Sequence, residues 1–156
     1  MAKFPTEVEK SVTIKAPLAR VYKYLWDVVG SSDCIPSIDS CKRVGDDTFC
    51  FVYEERSTGP VSLVVRYTCK YEGNGKDEIT FESTAAKSDN TDVSGRIRLK
   101  AAGDGTKLTL WQRLAPDTPV PSLLQGLIRS RVEQEAGDAV KQYLQTLKKK
   151  LEEGRG

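Results

Sequence analysis

A chain of 156 residues, 38% hydrophobic and 29% charged, can bury one sizeable core and is too apolar to remain disordered. Its 24 Lys and Arg against 22 Asp and Glu leave a formal net charge of +2, which gives no general electrostatic case for nucleic acid. The absence of histidine excludes Ser-His-Asp and Cys-His catalytic arrangements and every proton transfer that relies on imidazole.

The four cysteines, Cys34, Cys41, Cys50 and Cys69, form no CxxC pair, so neither a structural zinc nor any other cofactor is expected. No run of 18 apolar residues occurs, and residues 1–5 lack the apolar core of a signal peptide. The expected location is the cytoplasm, where thiols stay free.

Residues 6–15 alternate, with Val8, Val12 and Ile14 on one face and Lys10 interrupting it. This predicts a strand whose first half is an exposed edge. Ala16-Pro17 ends it, and proline suits the first turn of a helix. Leu18, Val21, Tyr22, Leu25, Trp26 and Val29 then recur at three and four, predicting a short helix that ends near 27–30. The broken stretch 31–38 is read as one further helical turn leading back to the sheet.

From residue 39 onward, turn signals fall at Gly45-Asp46-Asp47, Gly59-Pro60, Gly73-Asn74-Gly75, Ser88-Asp89-Asn90 and Gly103-Asp104-Gly105. Between them one face of each segment is apolar. It carries Phe49, Phe51 and Tyr53; Leu63, Val65, Tyr67, Cys69 and Tyr71; Ile79, Phe81 and Ser83; Val93, Gly95, Ile97, Leu99 and Ala101; then Leu108, Leu110, Gln112 and Leu114. The other face carries Arg66, Lys70, Glu82, Arg96, Arg98, Lys100 and Arg113. One buried and one wet face is the antiparallel expectation. Residues 122–152 close the chain with an apolar stripe at helical spacing, predicting a helix about 45 Å long.

Strand, short helical excursion, meander and long helix make an α+β domain spanning 1–156. In it a curved antiparallel sheet of about seven strands wraps the C-terminal helix. Val12-Thr13-Ile14-Lys15-Ala16-Pro17 followed by Val21-Tyr22-Lys23-Tyr24-Leu25-Trp26-Asp27 resembles the opening of the helix-grip (SRPBCC, START-like) superfamily. Ile35-Pro36-Ser37-Ile38 before Cys41-Lys42-Arg43-Val44-Gly45 resembles its proline-containing entry to the second strand. The glycine-rich loop of the plant allergen branch is not evident around Gly45-Asp46-Asp47. The polyketide cyclase/dehydrase-like branch and the branch of carbon-monoxide-dehydrogenase accessory proteins remain.

The resemblance implies a cavity between sheet and helix for a small hydrophobic ligand such as a lipid, sterol or polyketide. Small inward residues and two helix glycines, Gly126 and Gly137, point the same way. Each glycine costs about 1 kcal/mol relative to alanine, which suggests close backbone approach, a bend or unfilled space. The expected lining is Tyr53, Tyr67, Phe81, Ser83, Gly95, Ile97 and Gln112 from the sheet, with Leu123, Leu127 and Ile128 from the helix. No catalytic residue is assigned. Binding or transport leads. A cyclase or dehydrase using Tyr67 or Glu55, or an accessory factor recruited to a partner or a membrane surface through Lys148-Lys149-Lys150, are the alternatives. The arginine stripe on the wet face is read as cross-strand ion pairing and not as a nucleic-acid surface.

Overall fold

The computed structural model describes residues 2–3, 5–58, 61–84, 86–118 and 120–153. After a two-residue β1 (Ala2–Lys3), the alternating segment forms β2 (Thr6–Ile14), with Ile14 fully buried and Lys10 exposed. Pro17 precedes α1 (Leu18–Trp26), which buries Val21 and Leu25. The Asp27 side chain accepts from the Gly30 N–H at 3.2 Å and starts α2 (Val28–Ser31), which a 3₁₀ turn over Ser32–Cys34 extends. The expected single turn after α1 is therefore two short helical pieces run together.

The meander supplies β3 (Ile38–Gly45), β4 (Thr48–Tyr53), β5 (Arg56–Thr58), β6 (Val61–Leu63), β7 (Arg66–Gly73), β8 (Glu78–Ser83), β9 (Thr91–Ala102) and β10 (Gly105–Thr118). Seven of the strands form one antiparallel sheet in the order β2–β10–β9–β8–β7–β4–β3, and β1 continues the β2 edge along the end of β10. An early strand thus pairs with the last. On the outer face Glu78 lies between Arg96 and Arg98, at 3.7 and 3.6 Å, an arrangement that needs no polyanion to explain it.

One segment departs from expectation. Alternation makes Leu63 and Val65 the start of the strand that contains Tyr67, but that strand begins at Arg66, and among the described residues β5 and β6 pair only with each other. Two long-range contacts account for the break. The Glu54 N–H donates to the Ser37 carbonyl, turning the chain away at the end of β4. Asn90 then occupies the backbone ahead of β7: its Oδ1 accepts from the Arg66 N–H, and its Nδ2 donates to the Val64 carbonyl. The Gly59-Pro60 turn lies outside the described residues. Ala101, expected to face inward, is exposed beside the β9–β10 turn.

A 3₁₀ turn over Ser122–Leu124 leads into α3 (Gln125–Glu152). Its second half buries Ala136, Val140, Leu144, Leu147 and Leu151, and from Val140 on these join the main core. The C-terminal end is tied down by polar groups. Lys148 Nζ donates to the Thr13 carbonyl at 2.7 Å, Arg20 Nη2 to the Leu151 carbonyl at 2.8 Å, and Lys150 pairs with Asp33 at 2.7 Å. The lysine run expected at the helix end is therefore partly spent on internal contacts. The first half of α3 belongs to a separate small cluster, in which Ile128 packs with Val120, Leu124 and Val132.

Glycines in this fold serve different ends. A Cβ on Gly105 would lie 2.4 Å from the Ile14 carbonyl oxygen, so the close approach of β10 to β2 there requires glycine. A Cβ on Gly126 or Gly137 would meet nothing within 4 Å, so close approach is not what keeps glycine in α3.

Candidate functional site

The sheet and α3 leave a cavity with about 80 Å³ of room for the centre of a water-sized sphere. Alternation along the strands delivers its floor: Phe51 and Tyr53 from β4, Tyr67 and Tyr71 from β7, Phe81 from β8, Ile97 from β9, and Leu110 and Gln112 from β10. Ala139, Val140 and Tyr143 cover it from the middle of α3, and Leu25, Val28, Ser31, Ser32, Ile35 and Pro36 close one side.

Aromatic pairs brace the floor. Phe51 stacks on Tyr67 with centroids 5.0 Å apart, and Tyr71 on Phe81 at 5.3 Å. The Tyr53 and Tyr67 hydroxyls share a hydrogen bond of 2.8 Å. The serines are also committed, since Ser31 Oγ donates to the Asp27 carbonyl and Ser32 Oγ to the Val29 carbonyl. Three polar groups in the lining differ: the Tyr71 hydroxyl, the Tyr143 hydroxyl and the Gln112 amide make no hydrogen bond among the described residues, and they are not fully buried, since the fully buried unsatisfied side-chain atoms among those residues are Arg66 Nε and Asp117 Oδ1. No lining side chain carries a charge.

Burial sets the protonation state of this site. It pushes Tyr53 up to about 12, against a smaller opposing effect of its bond to Tyr67, and holds Tyr67, Tyr71 and Tyr143 well above the ordinary phenol range. These side chains are neutral donors and acceptors at physiological pH. An unfolded tyrosine ionises near pH 10 while these stay protonated in the fold. The stability they confer is therefore complete below about pH 10 and is lost as pH rises from there through the folded values. In an alkaline titration, phenolate absorbance from these four residues should rise together with loss of the circular dichroism signal. Independent ionisation near pH 10 with the fold intact would contradict their burial.

Five of the expected site residues, Tyr53, Tyr67, Phe81, Ile97 and Gln112, meet in the cavity. The other five do not line it. Ser83 Oγ accepts from the Val93 N–H at 2.7 Å and is occupied in joining β8 to β9. Gly95 is covered by the Phe81 ring, so its small size leaves no space. Leu123 is 96% exposed and Leu127 58%, while Ile128 faces its own small cluster. The cavity lies under Ala139–Tyr143, three turns further along, and about 16 Å separates Ile128 from Ala139 on the helix axis. Glu55 is exposed beyond β4 and takes no part. Of the thiols, burial pushes Cys69 up to about 12 and raises Cys34 and Cys41, so a reactive thiolate beside Pro36 is not favoured.

The lining also takes residues outside the expected set: Phe51, Tyr71 and Leu110 from the inward strand faces, Leu25 and Val28 from the short helices, and Ala139, Val140 and Tyr143 from α3. Ser31, Ser32, Ile35 and Pro36 belong to the irregular excursion, where no period reports which way a side chain faces. Tyr143 carries a usable signal, because it is the one aromatic residue on the stripe of α3.

Residues 5–152 match the family described as polyketide cyclase / dehydrase and lipid transport. The chain belongs to that family. No curated protein matches the sequence. Among solved structures, a Thermus thermophilus protein superposes with a TM-score of 0.73 at 20% identity, covering 97% of this chain and 100% of its own. A START superfamily protein from Mycobacterium smegmatis gives 0.70 at 17%, with 94% and 97% covered. The Zhui aromatase/cyclase from a Streptomyces gives 0.70 at 14%, with 95% and 94% covered. At such identities the likeness is one of fold, and it is the helix-grip fold that the opening segment resembles. Among the described residues no helix is long and apolar enough to cross a membrane.

Proposed function

We propose that this protein binds a small, mostly apolar molecule between its sheet and α3, and that it does so without covalent chemistry. The observation that carries this reading is the set of three polar side chains, Tyr71, Tyr143 and Gln112, left without partners among the described residues in an otherwise aromatic and aliphatic cavity. Uncommitted polar groups that face a cavity can donate to or accept from an occupant. Apolar burial then supplies affinity, and the three polar groups set orientation. The four free thiols suit a reducing compartment such as the cytoplasm.

Catalysis of the cyclase or dehydrase kind is the second reading, favoured by the family match. With no carboxylate or amine in the lining, the tyrosine hydroxyls and Gln112 are the groups available to it, and raised phenols are poor bases at neutral pH.

Extraction of gently purified protein with organic solvent, and calorimetric titration with lipids, sterols, aromatic polyketides and single-ring aromatic amides, tests binding. Ala139→Phe, which places a ring in the cavity from the helix side, serves as the blocked control. Saturable binding to the natural chain and its loss in a folded Ala139→Phe protein is the expected result. No binding across the panel, or binding indifferent to the blocked cavity, sinks the proposal.

A further inference from the structure

We infer that the occupant is an uncharged, planar, single-ring molecule bearing a carbonyl or similar acceptor, and not a long-chain lipid, a sterol or an anion. The inference rests on the binding role proposed above and narrows its ligand class.

Size is the first argument. The room for a water-sized sphere's centre is about 80 Å³, several times the roughly 10–15 Å³ that one water needs. Pockets for drug-sized ligands are typically about 300–1,000 Å³. The walls that would have to retreat for a larger guest are the stacked pairs Phe51–Tyr67 and Tyr71–Phe81. Displacing close-packed rings forfeits their contacts on both sides.

Charge is the second. The lining contains no cation to pair with an anion and no carboxylate to pair with a cation. Bringing an unpaired charge into such a site carries a large desolvation penalty.

The polar groups are the third argument. The Tyr71 and Tyr143 hydroxyls and the Gln112 amide nitrogen line the cavity as uncommitted donors, and the hydroxyls and the Gln112 oxygen can also accept. A hydrocarbon tail satisfies none of them. A carbonyl or amide on a flat ring can bond to them while its faces lie against the aromatic floor.

Matched ligands of one shape separate these terms. Benzamide, benzoate and toluene share a ring and differ in charge and acceptor. Palmitate and a sterol represent the larger class. Ligand-observed NMR at pH 7 should show saturable binding of benzamide, with benzoate and toluene each weaker by about tenfold or more, an energy difference of about 1.4 kcal/mol. The double variant Tyr71→Phe/Tyr143→Phe should weaken benzamide by a similar factor and leave toluene unchanged. Were that variant not to fold, the comparison among the three ligands on the natural chain still decides. Benzoate binding as tightly as benzamide overturns the charge argument and the inference with it. Palmitate or the sterol binding in the cavity while no ring compound does overturns the inference but leaves the binding role standing. Failure of every compound overturns both.

Discussion

Gly95→Val is expected to abolish ligand capture in a protein that still folds. A Cβ at this position would lie 2.2 Å from the Cζ of Phe81 and within 2.8 Å of both its Cε atoms, distances that real side chains do not tolerate. The Phe81 ring must therefore move. It already stacks on Tyr71 at 5.3 Å and forms part of the cavity lining, so the open direction for it is the cavity itself. Overpacking of this kind costs about 1–3 kcal/mol, with a small offset from the better strand propensity of valine. Binding of any cavity ligand should fall by more than about tenfold, or at least 1.4 kcal/mol. Adding Phe81→Leu to the same chain shortens the displaced side chain and should restore part of the loss. Calorimetric titration of the single and double variants reads both effects. Unchanged affinity in the single variant would show that Phe81 is not a wall of the binding site.

Leu147→Ala is the largest stability effect expected from a single side chain. Leu147 is fully buried in the core that α3 shares with the sheet, and truncating a buried leucine costs about 2–5 kcal/mol. For a chain of this size that lowers the melting temperature by roughly 5–15 °C. The same substitution at Leu123, one end of the same helical run, should change stability by no more than about 0.5 kcal/mol because that side chain is 96% exposed. Thermal or urea unfolding of the two variants measures the contrast. Equal losses would mean that the two halves of the C-terminal run are packed alike, contrary to the cluster division along α3.

That contrast also shows where sequence reading succeeds and where it stops. Alternation assigns Tyr53, Tyr67, Phe81, Ile97 and Gln112 to the inner face because period two is a local property of a strand. Helical period likewise identifies one face of α3, but a stripe says nothing about position along the axis. It suggests Leu123, Leu127 and Ile128 for the cavity wall, when Ala139 and Tyr143 cover it. Small residues suggest space. At Gly95 the space is filled by a neighbour from the adjacent strand, and at Ser83 the hydroxyl is claimed by Val93, neither of which is visible in a single segment. The break before β7 has the same origin, since Asn90 reaches Arg66 and Val64 from 24 and 26 residues away.

The pairing of β2 with β10 has a consequence for how the molecule is made. Ser11 and Thr109 face each other across 98 residues, and no other described strand of the sheet pairs with β2. As it leaves the ribosome, β2 thus has no partner until β10 is complete. At roughly 5–20 residues per second, it waits on the order of ten seconds with one edge unsatisfied. The core is sealed later still, when Leu147 and Leu151 arrive from α3. Long-range closure of this kind places the protein among slow folders, and it makes nascent β2 the segment most in need of protection during synthesis.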